Sequence, residues 1–215
     1  MAPIPHALTS IAASLAAFTA AAALLTVTPG LDTALVLRTA AAGGPRRAAF
    51  AGLGIVAGCF GWAGIVALGL GALLAASQLA YTALRWIGAA YLIYMGYRLL
   101  RSPRRNFLAA TDGAQQARPF ITGMLTNLLN PKVGVFYVSF LPQFVPSGVS
   151  VPLYIVLLGA IHALLGLVWF ACLILATRPI AQALRKPAVV QTCDRLTGGL
   201  FIAFGAGLAL GSRRA

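Results

Sequence analysis

Long runs of apolar residues separated by short polar links dominate this sequence. The runs cover about residues 7–27, 48–75, 79–100, 120–141, 153–176 and 196–210. Apolar stretches of about 18 residues or more are long enough to cross a bilayer as helices. The pattern predicts an all-α polytopic membrane protein, with six transmembrane helices in a single domain over residues 1–215.

Proline breaks two of these predicted helices. The first span is interrupted at Thr28-Pro29-Gly30, and a short helical piece over residues 31–42 follows before Gly43-Gly44-Pro45 ends it. The fourth span is interrupted at Asn130-Pro131-Lys132 and closes on Pro142-Gln143-Phe144. Because proline removes a backbone hydrogen bond, such a break persists in a bilayer only where the freed groups face protein or a polar cavity. Matching breaks in two halves indicate the binding site of a transporter.

A short internal repeat supports the division into halves. The third span carries Arg85-x-x-Gly88-x-x-Tyr91-x-x-Tyr94, and the sixth carries Arg195-x-x-Gly198-x-x-Phe201-x-x-Phe204. With three spans in each half, the second half has to enter the membrane from the opposite side. We therefore predict two inverted three-helix repeats, about 7–100 and 120–211, joined by a polar cytoplasmic loop over about 101–119.

The charge distribution fits a membrane topology better than a nucleic-acid surface. Only 9% of the residues are charged, against roughly 25% in soluble domains, yet the net charge is +13. A nucleic-acid module gathers its basic residues on one soluble face. Here ten of them fall in the links after spans 1, 3 and 5, at positions 46, 47, 98, 101, 104, 105, 118, 178, 185 and 186. The positive-inside rule places these links in the cytoplasm and both termini in the periplasm, with Arg213 and Arg214 running against the bias.

Asp32 is the only acid predicted to lie inside the membrane, just beyond the first break. An ionisable group there is a functional hypothesis by default, and a carboxyl in a low-dielectric site can take up and release a proton near neutral pH. The alternative is structural: Asp32 as a static partner of Arg38 or Lys132, or as a cap of the helix beginning at Leu31.

Lys132 lies just beyond the second break, where its ammonium could hold a substrate carboxylate or form a structural salt bridge with Asp32. Other polar candidates near the breaks are Thr28, Asn127, Asn130 and Gln143, and backbone groups at Pro29, Gly30 and Pro131 complete the set. Asn130 could equally satisfy carbonyls that Pro131 leaves unpaired. His162 in span 5 is a candidate proton relay or a hydrogen bond between helices.

The sequence lacks a nucleophile–base pair, a metal-ligand cluster and the Gly-Lys-Ser/Thr end of a phosphate-binding loop, so we expect no enzyme, cofactor or metal site. Glycines at Gly54-x-x-x-Gly58 and Gly207-x-x-x-Gly211 form close-packing faces, which could pack the monomer or make a homodimer. Cys59, Cys172 and Cys193 have no redox or metal spacing.

The break motifs resemble those of the LysE/RhtB family of amino-acid exporters. The resemblance rests on Thr28-Pro29-Gly30-x-Asp32-x-x-x-Val36-x-Arg38, on the glycine-studded run from Gly52, and on Asn127-Leu128-Leu129-Asn130-Pro131-Lys132-x-x-x-Phe136 closing on Phe140-Leu141-Pro142-Gln143-Phe144. It implies a bacterial inner-membrane protein of about six helices that exports amino acids or close derivatives, driven by the proton gradient.

An Asp after the Pro-Gly break, as at Asp32, resembles the branch of the family that exports neutral amino acids such as threonine, homoserine or leucine. The lysine-exporting branch usually has Gln-Asn at this place. The family commonly has a second proline where this chain has Leu31, so the break could be less rigid. Three alternatives stay open: a membrane thiol–disulfide electron carrier, which needs a cysteine beside the proline in each half where this chain has Thr28 and Asn130; an exporter of another cargo; and a scaffold without transport.

Overall fold

A computed structural model of the protein describes residues 4–76, 78–102, 118–184 and 186–210. The described chain is helical, as the apolar runs predict, and the predicted all-α fold is confirmed. Its α-helices are α1 Ile4–Val27, α2 Leu31–Ala76, α3 Gln78–Arg101, α4 Pro119–Leu128, α5 Pro131–Val135, α6 Val151–Leu175, α7 Thr177–Leu184 and α8 Pro187–Leu210. Helix α5 continues into a π-helical turn, Phe136–Phe140, and a 3₁₀ turn, Leu141–Phe144.

Both predicted breaks are present. Helix α1 ends before Thr28-Pro29-Gly30, and α4 ends at Leu128, three residues before Pro131, which is the first residue of α5. A third interruption lies inside α2, where Gly44 has φ 81°, a conformation that glycine adopts without the steric cost of a side chain. Gly44 therefore divides α2 into the short piece that follows the first break and the long second span.

The packing joins the two halves of the chain. Helix α2 lies between α4 and α6, α1 packs on α6, and α3 packs on α8. The second span thus contacts the fifth, and the third contacts the sixth. Inverted repeats are expected to pair in this way, and the repeat itself stays a prediction.

Glycines bring α2 and α4 into backbone contact. A Cβ built at Gly54 would lie 1.9 Å from the carbonyl oxygen of Phe120, and one at Gly123 would lie 2.1 Å from that of Ala51. The predicted close-packing face at Gly54 is therefore used inside the chain, against α4. The second predicted face is only partly described: Gly207 has open space around it, and Gly211 lies outside the described residues.

The end of the chain differs from the prediction. The sixth span was expected to begin at Leu196, but α8 begins at Pro187, and α7 precedes it in the basic link. The polar residues of the first turns of α8 lower the local hydropathy, so an apolar run marks the start too late. As a result Asp194, which is fully buried, lies inside this helix. The expectation that Asp32 is the only acid inside the membrane stays a prediction, and Asp194 is a second acid within a helix of the described chain.

Two described helices are apolar and long enough to cross a membrane on length and composition alone, over residues 31–69 and 151–175. A shorter apolar helix covers Ile11–Val27. Most of the predicted polar loop falls on residues 103–117, outside the described chain, with Arg104, Arg105 and Asp112. Arg185, Arg213 and Arg214 also lie outside it.

We expect Gly54→Ala to lower the thermal unfolding midpoint of the purified protein by several degrees, because the added methyl group would overlap the backbone of α4. Gly69→Ala on the same helix is the control, since a Cβ there meets nothing within 4 Å. Equal midpoints for the two variants would contradict the close approach of α2 and α4.

Candidate functional site

The first break leaves a backbone carbonyl without its helical donor. Pro29 has no N–H, so the carbonyl of Leu25, four residues earlier, loses the bond that would continue α1. The Lys132 ammonium replaces that donor: Nζ donates to the Leu25 and Thr28 carbonyl oxygens, each at 3.0 Å. A cation at a helix C-terminus is also favoured by the helix dipole. A residue of the second half thus caps the break in the first half.

The second break is satisfied in the same manner. Pro131 cannot donate to the carbonyl of Asn127, and that oxygen accepts instead from the Asn130 backbone N–H at 3.1 Å. The indole N–H of Trp62, on α2, also donates to it at 3.4 Å. Each break therefore receives a side-chain donor from the opposite half.

Asp32, in the first turn of α2, faces the second break. Its carboxylate accepts from the Asn127 side-chain amide at 2.9 Å and from that of Asn130 at 3.4 Å. Asn130 in turn caps α5, since its side-chain oxygen accepts from the Lys132 backbone N–H at 3.1 Å. A carboxylate at a helix N-terminus is stabilised by the positive end of the dipole. The structure brings Asp32, Asn127, Asn130 and Lys132 together, as a site between the breaks requires.

A cavity of about 40 Å³ lies between the breaks. Six predicted site residues line it, namely Thr28, Gly30, Asp32, Asn130, Lys132 and His162. This volume has room for a few water molecules, whereas pockets that enclose small ligands measure about 300–1,000 Å³. The breaks therefore have to separate before a molecule of amino-acid size can bind here.

His162 reaches the same cavity from α6. It is buried, and its Nδ1 lies 3.1 Å from the hydroxyl of Tyr137. Tyr137 belongs to the π-helical turn, a distortion found frequently at functional sites. The buried Cys59 lines the cavity as well. Sequence reasoning missed Tyr137 and Cys59, since neither interrupts an apolar run.

Thr28 connects the first break to α8. The Thr28 hydroxyl donates to the Leu24 carbonyl at 2.7 Å and accepts from the Thr197 hydroxyl at 2.7 Å. Thr197 is buried and lies one helical turn from Asp194. Asp194 was not predicted because it precedes the expected start of the sixth span, and Thr197, inside that span, was not predicted because nothing local in the sequence places it beside Thr28.

The remaining predicted site residues do not line the cavity. Pro29 is buried at the first break, while Pro131 is exposed at the start of α5. Gln143 is exposed beyond the π-helical turn, where its amide donates to the Ser139 carbonyl at 2.8 Å. The structure does not place Gln143 at the cavity wall.

Asn127 is held in a tight space with one hydrogen-bonding group unused. The residue is 1% exposed, and its Oδ1 has no hydrogen-bond partner among the described residues. Leaving a buried polar atom unpaired costs about 1–3 kcal/mol. Gly58 makes room for this side chain, since a Cβ there would lie 2.7 Å from Asn127 Oδ1.

The site combines an ammonium and a carboxylate at the wall of one cavity. Such an arrangement can bind a small molecule that carries both charges. Among the described residues no group of three or more His, Cys, Asp and Glu side chains is placed to hold a metal ion.

Comparison with known proteins identifies relatives along nearly the whole chain. The family described as LysE type translocator matches residues 23–212. An uncharacterized membrane protein of Bacillus subtilis, YrhP, is 29% identical over 203 residues, which cover 89% of this chain and 96% of that protein.

Two similar proteins have names that state a cargo. The threonine efflux protein of Escherichia coli K12 is 30% identical over 189 residues, 83% of this chain and 89% of that protein. The homoserine/homoserine lactone efflux protein of Salmonella typhi is 30% identical over 190 residues, 86% of this chain and 91% of that protein. No solved structure matches the chain.

We expect Gly58→Ala to impair transport at least about tenfold, because the methyl group displaces Asn127 and with it the hydrogen bond to Asp32. Gly64→Ala, two turns further along α2 and with open space around it, should retain the wild-type rate. Export assays on membranes with equal amounts of each variant make the measurement. Wild-type export by Gly58→Ala would show that the position of Asn127 is not needed.

Proposed function

The chain belongs to the family of LysE type translocators, and from this we propose that it exports small neutral amino acids or close derivatives in exchange for protons. Membership makes the protein a membrane transporter rather than an enzyme. The cargo class follows the relatives named as threonine and homoserine efflux proteins. The observation that carries the proposal is the meeting of Asp32 and Lys132 at one cavity between two broken helices.

Asp32 carries the coupling proton in this proposal. When the carboxylate is ionised, the amide groups of Asn127 and Asn130 stabilise its charge by donating to both oxygens. When Asp32 takes up a proton, it becomes a donor, and Asn127 Oδ1 is the adjacent unused acceptor. A rotation of the Asn127 amide then replaces one hydrogen bond with another, so the same side chain supports both protonation states.

His162 provides a second proton-binding group at the cavity wall. Its hydrogen bond to Tyr137 connects the cavity to the π-helical turn of the second half. A proton that leaves Asp32 can pass through water in the cavity to His162, since both residues line it.

The closed cavity represents one state of an alternating-access cycle. Export requires the breaks to separate toward the cytoplasm, admit the amino acid, and close again before they open to the other side. Lys132 then pairs with the substrate carboxylate. During this cycle, the hydrogen bonds that join the two halves at the breaks have to break and form again.

The competing functions make different demands on the site. A thiol–disulfide carrier needs a cysteine beside each proline, and the structure has Thr28 and Asn130 in those places and Cys59 on α2. A different cargo or a scaffold without transport would leave the family fold intact, so the export assay separates them from amino-acid export.

The same proposal places the protein in the bacterial inner membrane with its basic links in the cytoplasm. Arg46 and Arg47 are exposed in the link that follows the first break, whereas the link after span 4, around Ser147, carries no charge. Cytoplasmic retention of basic links accounts for this asymmetry, and both termini then lie in the periplasm.

We expect Asp32→Asn to abolish export of a radiolabelled neutral amino acid from preloaded proteoliposomes driven by a proton gradient, because the amide cannot carry the proton. Thr192→Val, at an exposed position of α8, is the control and should export normally. A protonophore should stop wild-type export. Gradient-driven export that survives Asp32→Asn would reassign the coupling proton to another group.

The topology predicts the labelling of single cysteines placed at exposed positions. In a variant with the three native cysteines replaced by serine, Ser147→Cys should react with an impermeant maleimide added to spheroplasts, and Arg46→Cys should react only after lysis. The reverse pattern would show that the chain is inserted with the opposite orientation.

A further inference from the structure

We propose that the carbonyl oxygens of Leu25 and Thr28 form the binding site for the α-ammonium group of the exported amino acid, and that Lys132 occupies this site when no substrate is bound. The inference rests on the proposed export of amino acids and assigns the substrate's charged groups to atoms. Lys132 then has a second role, because its ammonium occupies the position of the substrate ammonium when no substrate is bound.

The Leu25 and Thr28 carbonyl oxygens already bind an ammonium group. Lys132 Nζ lies 3.0 Å from each of them. An α-ammonium has the same charge and the same three N–H donors as the end of a lysine side chain. A carbonyl pair that accepts from one can therefore accept from the other with the same geometry.

The carbonyl pair cannot stay unoccupied in a low-dielectric site. Pro29 permanently removes the backbone donor for the Leu25 carbonyl, and an unsatisfied carbonyl in a membrane is costly. Lys132 can leave only when another donor arrives. The substrate ammonium is such a donor, and because it also carries a positive charge, the balance with Asp32 at the cavity wall is kept.

The displaced Lys132 ammonium takes the carboxylate of the substrate as its new partner. A buried ammonium that loses its acceptors needs a new partner, and an amino acid brings a carboxylate together with its ammonium. Leu25, Thr28, Asp32 and Lys132 line one cavity, so the two ends of a zwitterion can reach both groups. Binding thus exchanges one ammonium for another and gives Lys132 the substrate carboxylate, which selects molecules that carry both charges.

Chemical replacement of the lysine tests this exchange without any transport. In purified full-length Lys132→Ala, methylammonium, which matches the end of the deleted side chain, should raise the thermal unfolding midpoint by about 2 °C or more. Tetramethylammonium has the charge but no N–H donor and should have no such effect. Lys186→Ala, the exposed second lysine of the chain, and wild type should not distinguish the two salts. An equal response of Lys132→Ala to both salts overturns the proposal.

A competition experiment on wild type provides the second measurement and decides the matter should Lys132→Ala not fold. The 2-hydroxy acid with the same side chain lacks the ammonium. It should inhibit export of a labelled amino acid at least about 100-fold more weakly than the same amino acid added without label. Equal inhibition overturns the ammonium site. A methylammonium effect without export of any amino acid would keep the ammonium site and reject the proposed function. Export without a methylammonium effect would keep the proposed function and reject the ammonium site.

Discussion

Every feature of the site depends on one constraint: carbonyls freed by a proline inside a membrane need donors. The carbonyl of Leu25 receives its donor from Lys132, and that of Asn127 receives one from Trp62. Both donors come from the opposite half of the chain. The two breaks therefore contact each other: the Leu25 carbonyl depends on Lys132 of the second half, whereas the Asn127 carbonyl also accepts from the Asn130 N–H of its own half. A pair of proline breaks thus becomes the place where the two halves meet.

In the proposed transport cycle, this mutual dependence makes the binding site coincide with the place where the halves separate. The Asp32 carboxylate lies at the N-terminus of α2, and the Lys132 ammonium lies at the C-terminus of α1. The helix dipole favours these charges at these ends, so ionisable groups are stabilised where the backbone is interrupted. Separating the halves exposes these groups and the carbonyls at once. A substrate that replaces the lost contacts lowers the free energy of the open state relative to the closed state. A ligand shifts a conformational equilibrium only when it binds one state better than the other.

Much of this arrangement could be predicted from the sequence because its causes are local. Proline and glycine mark the breaks at Pro29 and Pro131, and apolar runs mark the spans. The start of α8 could not be found in this way, because Gln191, Thr192 and Asp194 make its first turns look like a loop. Nor could pairwise contacts be predicted from the sequence: Lys132 was expected to bind a substrate carboxylate or to pair with Asp32, and its bonds to the carbonyls at the end of α1 were not foreseen. The tie between Thr28 and Thr197 joins positions 169 residues apart, which only the packing of α8 specifies.

The most direct measurement is a structure of the protein with an exported amino acid bound. We expect the amino acid to lie between the breaks, with its ammonium on the Leu25 and Thr28 carbonyls and its carboxylate on Lys132. An amino acid bound elsewhere, with the Lys132–Leu25 and Asn127–Asp32 hydrogen bonds unchanged, would contradict this expectation.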